Sequence, residues 1–559
     1  MVYFDATIDC CDNQTPSWRF AKTALAMLVL VLFAASLTLW TGNLGYMPLD
    51  QSIIFDGGWR VLSGQTPLAD FFTPTGVVPI LMQAGFFKLL GVSWTSYVAH
   101  AAVMNILFAV VVYLLLHRLF GWNTLAFYFA LLSAYFMYPP MGTPYMDQHA
   151  LIFTFFALAL FLVGVTAETP KAQALAWSLI PVAGVLALHS KQMPSGLAIV
   201  FIAAACGFLY WRNPDRYRAG LVAAAHGSAA VLLVMIVVIA LTCGFDRYFY
   251  WTFRIPLELA FGRLGGADDR FFVIAGMVSI CALPILVALN FATRAGGQVR
   301  TDDIALATAG VTVALLVLAA LFAGITVNAP MFQLAFFPAA IAFCYGLLSR
   351  RERGESGETA RQLRDFRTLI FGLSGLAFLY ALPPISQRTG NEFEFHKNKF
   401  SLSVDAANIH PALSGLHWIM PSKIDGHGGE QRASNYKSLL DEIAKRKGNF
   451  LLIGDSSILY ALSGKPSVFP GLWFHEGLSI PKQFSARRRK FEKFLVRSLL
   501  RNDVRYVVVD GRETWMASQA SDFAVLNACL DYDDAEAETI GHFRLLPISL
   551  QCIRGQPSL

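Results

Sequence analysis

Charged residues are scarce in this sequence, and two common kinds of site are absent. Only 15% of its 559 residues are charged, whereas soluble domains average about 25%. The eight cysteines form no C-x-x-C pair and no cluster with histidine at metal-ligand spacing, which argues against a zinc finger or a thioredoxin-like dithiol. No periodic repeat and no low-complexity tract is visible, so a repeat architecture is not expected.

Apolar residues dominate the chain instead. They make up 55% of it, and the mean hydropathy is +0.50, which predicts a polytopic α-helical membrane protein with one soluble domain attached. The net charge of +6 is small for this length. It reflects arginines in the loops between spans, so no nucleic-acid partner is expected.

About eleven apolar stretches are long enough to cross a bilayer, whose hydrocarbon core of ~30 Å needs about 20 helical residues. The first is not predicted to be a cleaved signal peptide, because no A-x-A-like site ends it. The predicted spans are 22–40, 94–116, 122–138, 148–166, 173–189, 194–211, 220–243, 271–291, 303–324, 330–348 and 367–383.

Basic residues in the short loops predict the orientation. With the N-terminus inside, the inner loops hold fifteen arginines and lysines and the outer loops before the C-terminal region hold seven. This bias is typical of a cytoplasmic N-terminus. Eleven spans then place the C-terminus outside, and the predicted location is the inner (plasma) membrane of a bacterium.

The composition changes near residue 385, which divides the chain into a membrane domain (1–384) and a soluble domain (385–559). GNFLLIGDSSILYALSGKPS (448–467) predicts a strand, a turn and a helix, and VRYVVVDG (504–511) predicts a second strand, so an extracytoplasmic α/β domain is expected. The basic amphipathic helix predicted over 485–501 is either a solvated face or a support on anionic headgroups. Cys529 and Cys552 are either free or joined in a disulfide.

The first predicted outer loop (41–93) holds three acids in a part of the chain that has few. Asp50 has no basic partner nearby in sequence and follows the first span, which makes it the candidate catalytic residue. Asp56 either contributes to the site or pairs with Arg60, four residues on. Asp70 either lines the site or caps the turn before Thr73. The segments around Trp59 and over 75–91 are predicted to be helices lying in the membrane interface.

A second candidate site is GTPYMDQHALIF (142–153), at the outer start of a span. Asp147 in the first turn of that helix suits the helix dipole and is explained by capping alone. His149 on its own is explained as an interfacial histidine. Both residues together favour a functional site, and a divalent metal such as Mg²⁺ or Mn²⁺ is one ligand that they suit.

A third candidate site is LALHSKQMPSG (186–196), a tight outer turn between two spans. His189, Lys191 and Gln192 present hydrogen-bond donors that can hold a lipid phosphate, although a lysine at this depth also reaches the interface simply to keep its charge in water. Arginines of the 246–270 loop can bind phosphate in the same way, and the site prediction includes Arg254 and Arg263 from this loop.

These motifs resemble the GT-C glycosyltransferases, multispan enzymes that use polyprenyl-phosphate sugars. Asp50 in MPLDQ matches the acid that this family carries in its first outer loop, and FDGGWRVLSGQTPLADFFTPTG is similar to the run that follows it in many bacterial members. MDQHALIFTFFALAL resembles the second acidic site. Protein mannosyltransferases and aminoarabinose transferases are the members it resembles. The chain has Gln51 and Leu68 where many members have Glu and Tyr, which leaves the sugar open.

The resemblance implies a reaction. Asp50 would act as general base on an acceptor hydroxyl, which attacks the anomeric carbon with inversion. The leaving lipid phosphate is already anionic, so cations would stabilise it and no acid would need to protonate it. The substrates would be a polyprenyl-phosphate sugar donor and a glycan, lipid or protein acceptor of the cell envelope.

Three other functions fit parts of the sequence less well. A lipid-linked glycan polymerase or ligase usually carries a large loop between late spans, and here the soluble part comes last. A transporter or flippase usually keeps ionisable groups within its spans, and these spans have almost none. Gly454-Asp455-Ser456-Ser457 is similar to the GDSL hydrolase motif, but the Asp-x-x-His partner near the end is missing, and a strand-to-helix turn explains the motif.

Overall fold

The computed structural model describes residues 16–46, 48–121, 123–138, 142–264, 301–327, 336–353, 356–369, 372, 404–418, 433–511, 520–530 and 537–555. Two of the predicted spans, 271–291 and most of 367–383, and the predicted domain boundary at 384/385 lie outside these residues.

The membrane part is a bundle of apolar helices. Its helices are α1 (Pro16–Gly42), α2 (Pro48–Leu62), α3 (Val78–Leu90), α4 (Trp94–Phe120), α5 (Asn123–Met137), α6 (Met146–Val165), α7 (Pro170–Leu188), α8 (Gln192–Arg212), α9 (Pro214–Leu241), α10 (Phe245–Phe249), α11 (Ile255–Leu264), α12 (Thr301–Val327) and α13 (Phe336–Arg353). A π-helical turn, Tyr250–Arg254, joins α10 to α11.

Six of the described helices, α1, α4, α6, α7, α8 and α9, are long and apolar enough to cross a membrane. Each overlaps a predicted span, and the chain is built as a multi-pass membrane protein. Two prolines are accommodated in α7: Pro170 begins this helix, and Pro181 lies within it without ending it.

Local signals place the helix ends close to where the sequence predicts them. The Ser93 side chain accepts a hydrogen bond from the Ser96 amide at the start of α4, and Gly121 ends that helix with φ 71°. Asn213 caps α9 in the same way, with Pro214 in its first turn. A polar cap satisfies an amide that the helix cannot, and a left-handed glycine closes the other end.

The helices differ greatly in how much protein surrounds them. In the apolar core of α6, 83% of the residues are buried within the protein, whereas the figure for α9 is 6%. Helix α6 is therefore surrounded by other helices, and α9 presents most of its apolar surface to lipid. The first turn of α6, which carries Asp147, is held in the protein interior rather than at a lipid boundary.

The C-terminal unit (the described residues from 404 to 555) is an α/β structure. Its strands are β1 (Val404–Asp405), β2 (His417–Trp418), β3 (Asn449–Ile453), β4 (Val504–Asp510), β5 (Glu538–Ile540) and β6 (Phe543–Pro547), and its α-helices are α14 (Ala433–Lys445), α15 (Ile458–Leu462), α16 (Ala486–Arg501), α17 (Ala524–Cys529) and α18 (Leu550–Arg554). Strands β3 to β6 form one sheet in the order β3-β4-β6-β5.

The predicted strand–helix–strand pattern is present in this sheet. Strands β3 and β4 are parallel, and a parallel pair needs a crossover, which α15 and α16 provide. The remaining pairs, β4 with β6 and β5 with β6, are antiparallel. Cys529 and Cys552 are joined in a disulfide between α17 and α18, which decides between the two alternatives for this pair.

Helix α2 was predicted to lie in the membrane interface, and this was wrong. Its residues 51–58 are all buried, because the C-terminal unit covers the face that was expected to meet lipid. Tyr46, just before α2, stacks on Trp418 at 4.8 Å between ring centroids. Trp59 donates from Nε1 to the Lys465 carbonyl at 3.0 Å. One hydrophobic core therefore spans the first loop and the C-terminal unit.

Candidate active site at the loop end of the bundle

The first loop is hydrogen-bonded to the turn between α7 and α8. The Gly76 amide donates to the Ser190 carbonyl at 3.2 Å, and the Val78 amide donates to the His189 carbonyl at 2.9 Å. Gln192 Nε2 donates to the Pro74 carbonyl at 3.3 Å. A Cβ on Gly76 would lie 1.7 Å from the His189 oxygen, so only glycine permits this approach. Two of the predicted sites are thus neighbours.

Lys191 and Asp147 form an ion pair within this group. Lys191 Nζ lies 2.6 Å and 2.7 Å from the two carboxylate oxygens of Asp147. The side chain of Asp147 is fully buried, and that of Lys191 is 13% exposed. Ion pairs in the protein interior gain little stability because both charges lose water. The pair is therefore weak evidence for stability, and it fixes where the Lys191 ammonium lies.

The segment before α6 fixes where Asp147 stands. Gly142, with φ 63°, packs directly on Gly42 at the end of α1. A Cβ on Gly142 would lie 2.0 Å from the Gly42 nitrogen, so this approach also requires glycine. Tyr145 then begins α6 without a side-chain cap, and an acid in the first turn favours the helix dipole.

His149 lies in a buried polar chain that includes a residue missed by the sequence analysis. Its Nε2 lies 2.9 Å from Nε2 of His100, whose Nδ1 lies 2.9 Å from Oε1 of Gln83. His149 Nδ1 lies 2.8 Å from the Tyr145 carbonyl. His100 is the one ionisable residue in an apolar run of α4, AHAAVMN, and an ionisable residue within a span is the signal that could have found it.

His189 is buried one residue beyond the end of α7. Its Nδ1 lies 2.9 Å from the Val185 carbonyl, and its Nε2 lies 2.8 Å from the Tyr248 hydroxyl. Burial lowers the pKa of His189, so the ring is neutral at pH 7. Its role here is to anchor the α7–α8 turn to α10, with the Tyr248 hydroxyl as its partner.

The donor set does not fit a divalent metal. Both oxygens of Asp147 accept hydrogen bonds from the Lys191 ammonium, and a cation there opposes a second one. Among the described residues, no three His, Cys, Asp or Glu side chains are grouped as metal ligands. The predicted Mg²⁺ or Mn²⁺ site stays a prediction.

Asp50 lies in the first turn of α2 and is half-buried. Its carboxylate interacts electrostatically with the Tyr97 hydroxyl of α4, which donates to the Gln51 carbonyl at 2.9 Å. Helix α4 thereby fixes the start of α2. Asp56 and Asp70 both have structural roles in this loop, whereas Asp50 lies at its start, half-buried in the first turn of α2.

Asp56 pairs with Arg60, which is one of the two alternatives that the sequence allowed. Arg60 Nε lies 2.7 Å from Asp56 Oδ2, and both side chains are buried. Ser467 Oγ lies 2.5 Å from Asp56 Oδ1, and Arg60 Nη1 donates to the Phe469 carbonyl at 2.8 Å. Asp56 therefore holds the C-terminal unit on α2, and its predicted substrate-binding role has no support in this geometry.

Asp70 caps the turn before Thr73, which is one of the two alternatives that the sequence allowed. Its Oδ2 accepts a hydrogen bond from the Thr66 amide at 2.8 Å, which is the usual function of an aspartate at a turn. Arg501 Nη1 lies 3.7 Å from Asp70 Oδ1, and the arginine is 81% exposed. An exposed pair of this kind contributes little.

Of the two predicted arginines, Arg254 does not join the group. Arg254 is 61% exposed and pairs with Glu258 on the surface at 2.8 Å. The side chain of Arg263 lies outside the described residues. Two groups remain as the candidate site: Asp147, Lys191 and Gln192 at the α7–α8 turn with His149 beside them, and Asp50 at the start of α2. The Tyr97 hydroxyl links their segments, since it lies 2.9 Å from the Gln51 carbonyl and 3.4 Å from the Pro144 carbonyl.

The serine of the GDSS motif is enclosed by the C-terminal unit. Ser456 is fully buried, and its Oγ lies 2.6 Å from the Tyr436 hydroxyl. A nucleophile must be reached by its substrate, so the geometry agrees with the interpretation of this motif as a strand-to-helix turn.

The chain resembles two solved structures of ArnT from Cupriavidus metallidurans. The apo structure has a TM-score of 0.48 at 13% identity, covering 96% of this chain and 98% of ArnT. The structure with bound undecaprenyl phosphate has a TM-score of 0.39 at 11% identity, covering 96% and 99%. No protein-family model and no curated protein matches the sequence. At these scores the likeness supports no conclusion about function, which has to be argued from the site residues.

These residues provide two chemical capabilities at the loop end of an apolar bundle. Asp50 supplies a half-buried carboxylate that can take a proton. Lys191 supplies an ammonium that is oriented by Asp147, and an ammonium can stabilise an anionic group. A carboxylate and an ammonium at this boundary suit a substrate with an apolar tail and an anionic head.

Proposed function

We propose that the protein is a membrane glycosyltransferase that moves a sugar from a polyprenyl-phosphate donor to an envelope glycan, lipid or protein acceptor. The observation that carries the proposal is the hydrogen bonding of the Asp50-bearing loop to the turn that presents Lys191. These bonds join residues 74–78 of that loop to the turn, and they support a site in which Asp50 is the base and Lys191 the phosphate-binding cation. A polyprenyl-phosphate sugar has the matching parts, since its lipid tail and phosphate meet at the same boundary.

Asp50 acts as the general base in this proposal. Its carboxylate takes the proton of an acceptor hydroxyl while that oxygen forms a bond to the anomeric carbon. The bond between the anomeric carbon and the phosphate oxygen breaks, and its electron pair leaves with the lipid phosphate. A single displacement of this kind inverts the configuration at the anomeric carbon.

Lys191 binds the phosphate, and Asp147 positions it. The leaving group is already anionic, so it needs a cation and not a proton donor. Asp147 is fully buried and fixes the lysine side chain through both carboxylate oxygens, which keeps the ammonium in place before the lipid arrives. Gln192, held by the Pro74 carbonyl, ties this cation to the first loop.

The reaction is proposed to occur on the extracytoplasmic face of the bacterial inner membrane. The excess of arginine and lysine in the opposite loops supports this orientation. The Cys529–Cys552 disulfide in the C-terminal unit supports it independently, because structural disulfides belong to oxidising compartments.

The test is transfer by the purified protein from a synthetic polyprenyl-phosphate sugar, with products identified by mass spectrometry. Asp50→Asn should abolish transfer while leaving expression and detergent stability unchanged. Asp70→Asn is the matched control, because Asp70 lies in the same loop and caps a turn. Full activity of Asp50→Asn would rule out Asp50 as the base. A panel of donor sugars that all fail with the wild-type protein would remove the proposed function itself.

A further inference from the structure

The second helix of the C-terminal crossover, α16, has an exposed basic face that the candidate site does not include, and its one described ion pair is the exposed contact of Arg501 with Asp70 at 3.7 Å. The helix ARRRKFEKFLVRSLLR carries seven basic residues and one acid. Arg488 and Glu492 pair with each other in the interior at 3.0 Å. The remaining exposed basic residues lie on the side away from that buried pair: Arg489, Lys490, Lys493, Arg497 and Arg501.

The contacts of α16 place it directly above the membrane boundary. The Arg487 guanidinium lies 3.8 Å from the ring centroid of Tyr250, and Phe494 lies 5.3 Å from Phe72 in the first loop. Tyr250 follows α9, which is almost wholly lipid-facing. A helix that rests on the segment leaving a span lies at the depth of lipid headgroups.

The segment beneath α16 has an apolar stripe that fixes this depth independently. Large hydrophobic residues are exposed at four-residue spacing over 245–257: Phe245, Phe249, Phe253 and Leu257. Four-residue spacing puts them on one helical face. In a multi-pass membrane protein such a face lies in the interface or the acyl region, and Tyr250 is adjacent to it in sequence.

Phe484, just before α16, is fully exposed to solvent and has a backbone φ of 61°. Bulky residues seldom adopt this left-handed conformation. The backbone conformation of Phe484 costs free energy, and so does the exposure of its ring to water. Beside basic residues, such a side chain suits the headgroup boundary of a membrane, where the ring leaves water. Lys482, two residues earlier, is also exposed.

We infer that Lys482, Phe484 and the basic face of α16 form a docking surface for anionic phospholipid headgroups. Phe484 inserts at the headgroup boundary, and the lysines and arginines bind the lipid phosphates beside it. Charge complementarity selects this occupant, because aromatic and basic residues together are typical of helices that lie on anionic membranes. The surface holds the C-terminal unit against the bilayer at the end of the bundle where α2 is covered.

The experiment photocrosslinks position 484 in the full-length protein. Phe484→p-benzoylphenylalanine is reconstituted in nanodiscs of phosphatidylcholine, alone or mixed with phosphatidylglycerol, and adducts are identified by mass spectrometry. Phosphatidylglycerol adducts should exceed the share of that lipid in the mixture by several-fold, since each basic residue near an anionic surface changes partitioning about fivefold. Raising the salt concentration should remove the excess.

Charge-reversed variants separate electrostatic docking from mere proximity. Arg489→Glu with Lys493→Glu and Arg497→Glu should lose the excess, whereas a matched triple on exposed residues elsewhere, Lys437→Glu with Lys445→Glu and Arg505→Glu, should keep it. Adducts in simple proportion to the lipid mixture, or adducts to protein alone, would overturn the inference. If the first triple variant does not fold, the salt titration on the unaltered charges decides, and no transfer activity is needed in any arm.

Discussion

Ser467 Oγ lies 2.5 Å from the Asp56 carboxylate although 411 residues separate the two in sequence. The hydrogen bond joins the C-terminal unit to the first helix of the first loop. Arg60 pairs with the other carboxylate oxygen of Asp56 and also reaches the Phe469 carbonyl. A buried charge pair therefore adds to the shared hydrophobic core in attaching the C-terminal unit to this loop.

Breaking this pair should loosen the C-terminal unit. Asp56→Ala leaves the Arg60 guanidinium buried without its partner, and we expect a loss of about 3–5 kcal/mol in unfolding free energy. Ser467→Ala removes one hydrogen bond to a charged group and should cost about 1.5–3 kcal/mol. Denaturant unfolding in detergent and limited proteolysis measure both losses.

The control is Asp441→Ala. Asp441 pairs with Lys437 at 3.0 Å, but both side chains are more than half exposed, so the loss should stay below about 1 kcal/mol. Equal losses for Asp441→Ala and Asp56→Ala would contradict a special role for the buried pair.

Lys191→Ala should lower kcat/KM for the polyprenyl-phosphate donor by about 10²–10³, the usual effect of removing one group that stabilises developing negative charge. Lys191→Arg keeps the charge and should retain part of the activity. Lys88→Ala, at an exposed position of α3, is the control. Steady-state kinetics with varied donor concentration make the comparison, and wild-type rates for Lys191→Ala would refute the phosphate-binding role.

Gly76→Ala should separate the first loop from the α7–α8 turn. The added Cβ would meet the backbone oxygen of His189 at 1.7 Å, and backbone cannot move aside as a flexible side chain can. We expect loss of transfer activity with a lowered melting temperature. Gly85→Ala is the matched control, because nothing lies within 4 Å of its added Cβ, and it should be neutral or slightly stabilising. Normal activity of Gly76→Ala would show that this contact is dispensable.

Stability should fall as the pH is lowered below about 6.5, the ordinary pKa of histidine. Burial lowers the pKa of His189 in the folded state. Between the two values the unfolded state binds more protons, so stability rises with pH across that window. Replacing His189 by Gln should flatten this part of a melting-temperature profile. An identical acid slope in the His189 variant would contradict this assignment.

The Cys529–Cys552 disulfide should be present in protein isolated from cells. Peptide mapping without reductant should recover the two cysteines in one linked peptide if the C-terminal unit faces an oxidising compartment. Cys529→Ser should then lower the stability of that unit by about 2–4 kcal/mol. Quantitative recovery of free thiols from intact cells would argue against the proposed orientation.

Several features could be predicted from the sequence because they depend on neighbouring residues. Helices α1, α4 and α6 to α9 overlap predicted spans, since the length of an apolar run is a local property. Strands β3 and β4 were predicted for the same reason, as apolar runs ended by turns. The pairing of Asp56 with Arg60 was available as an alternative because four-residue spacing places both on one helical face.

Other features could not be predicted, because they depend on contacts between distant segments. The position of α2 was wrong, since its apolar residues meet the C-terminal unit where lipid was expected, and sequence alone does not distinguish the two surroundings. His100 was missed because its partners, Gln83 and His149, lie on two other helices. Arg254 was predicted to bind substrate, but in the structure it pairs with Glu258 at 2.8 Å on the surface.

The sequence by itself determined that this is a multi-pass membrane protein, which loop carries the acids, and that an α/β unit follows the bundle. The length of an apolar run, the charge of a loop and the pattern of a strand depend only on neighbouring residues. They can therefore be recognised without knowing the fold. Only the tertiary structure decided which acids have partners. Asp56 is held by Ser467, and Asp147 is held by Lys191 across 44 residues, because burying a charge requires a counter-charge or donor that folding brings from elsewhere.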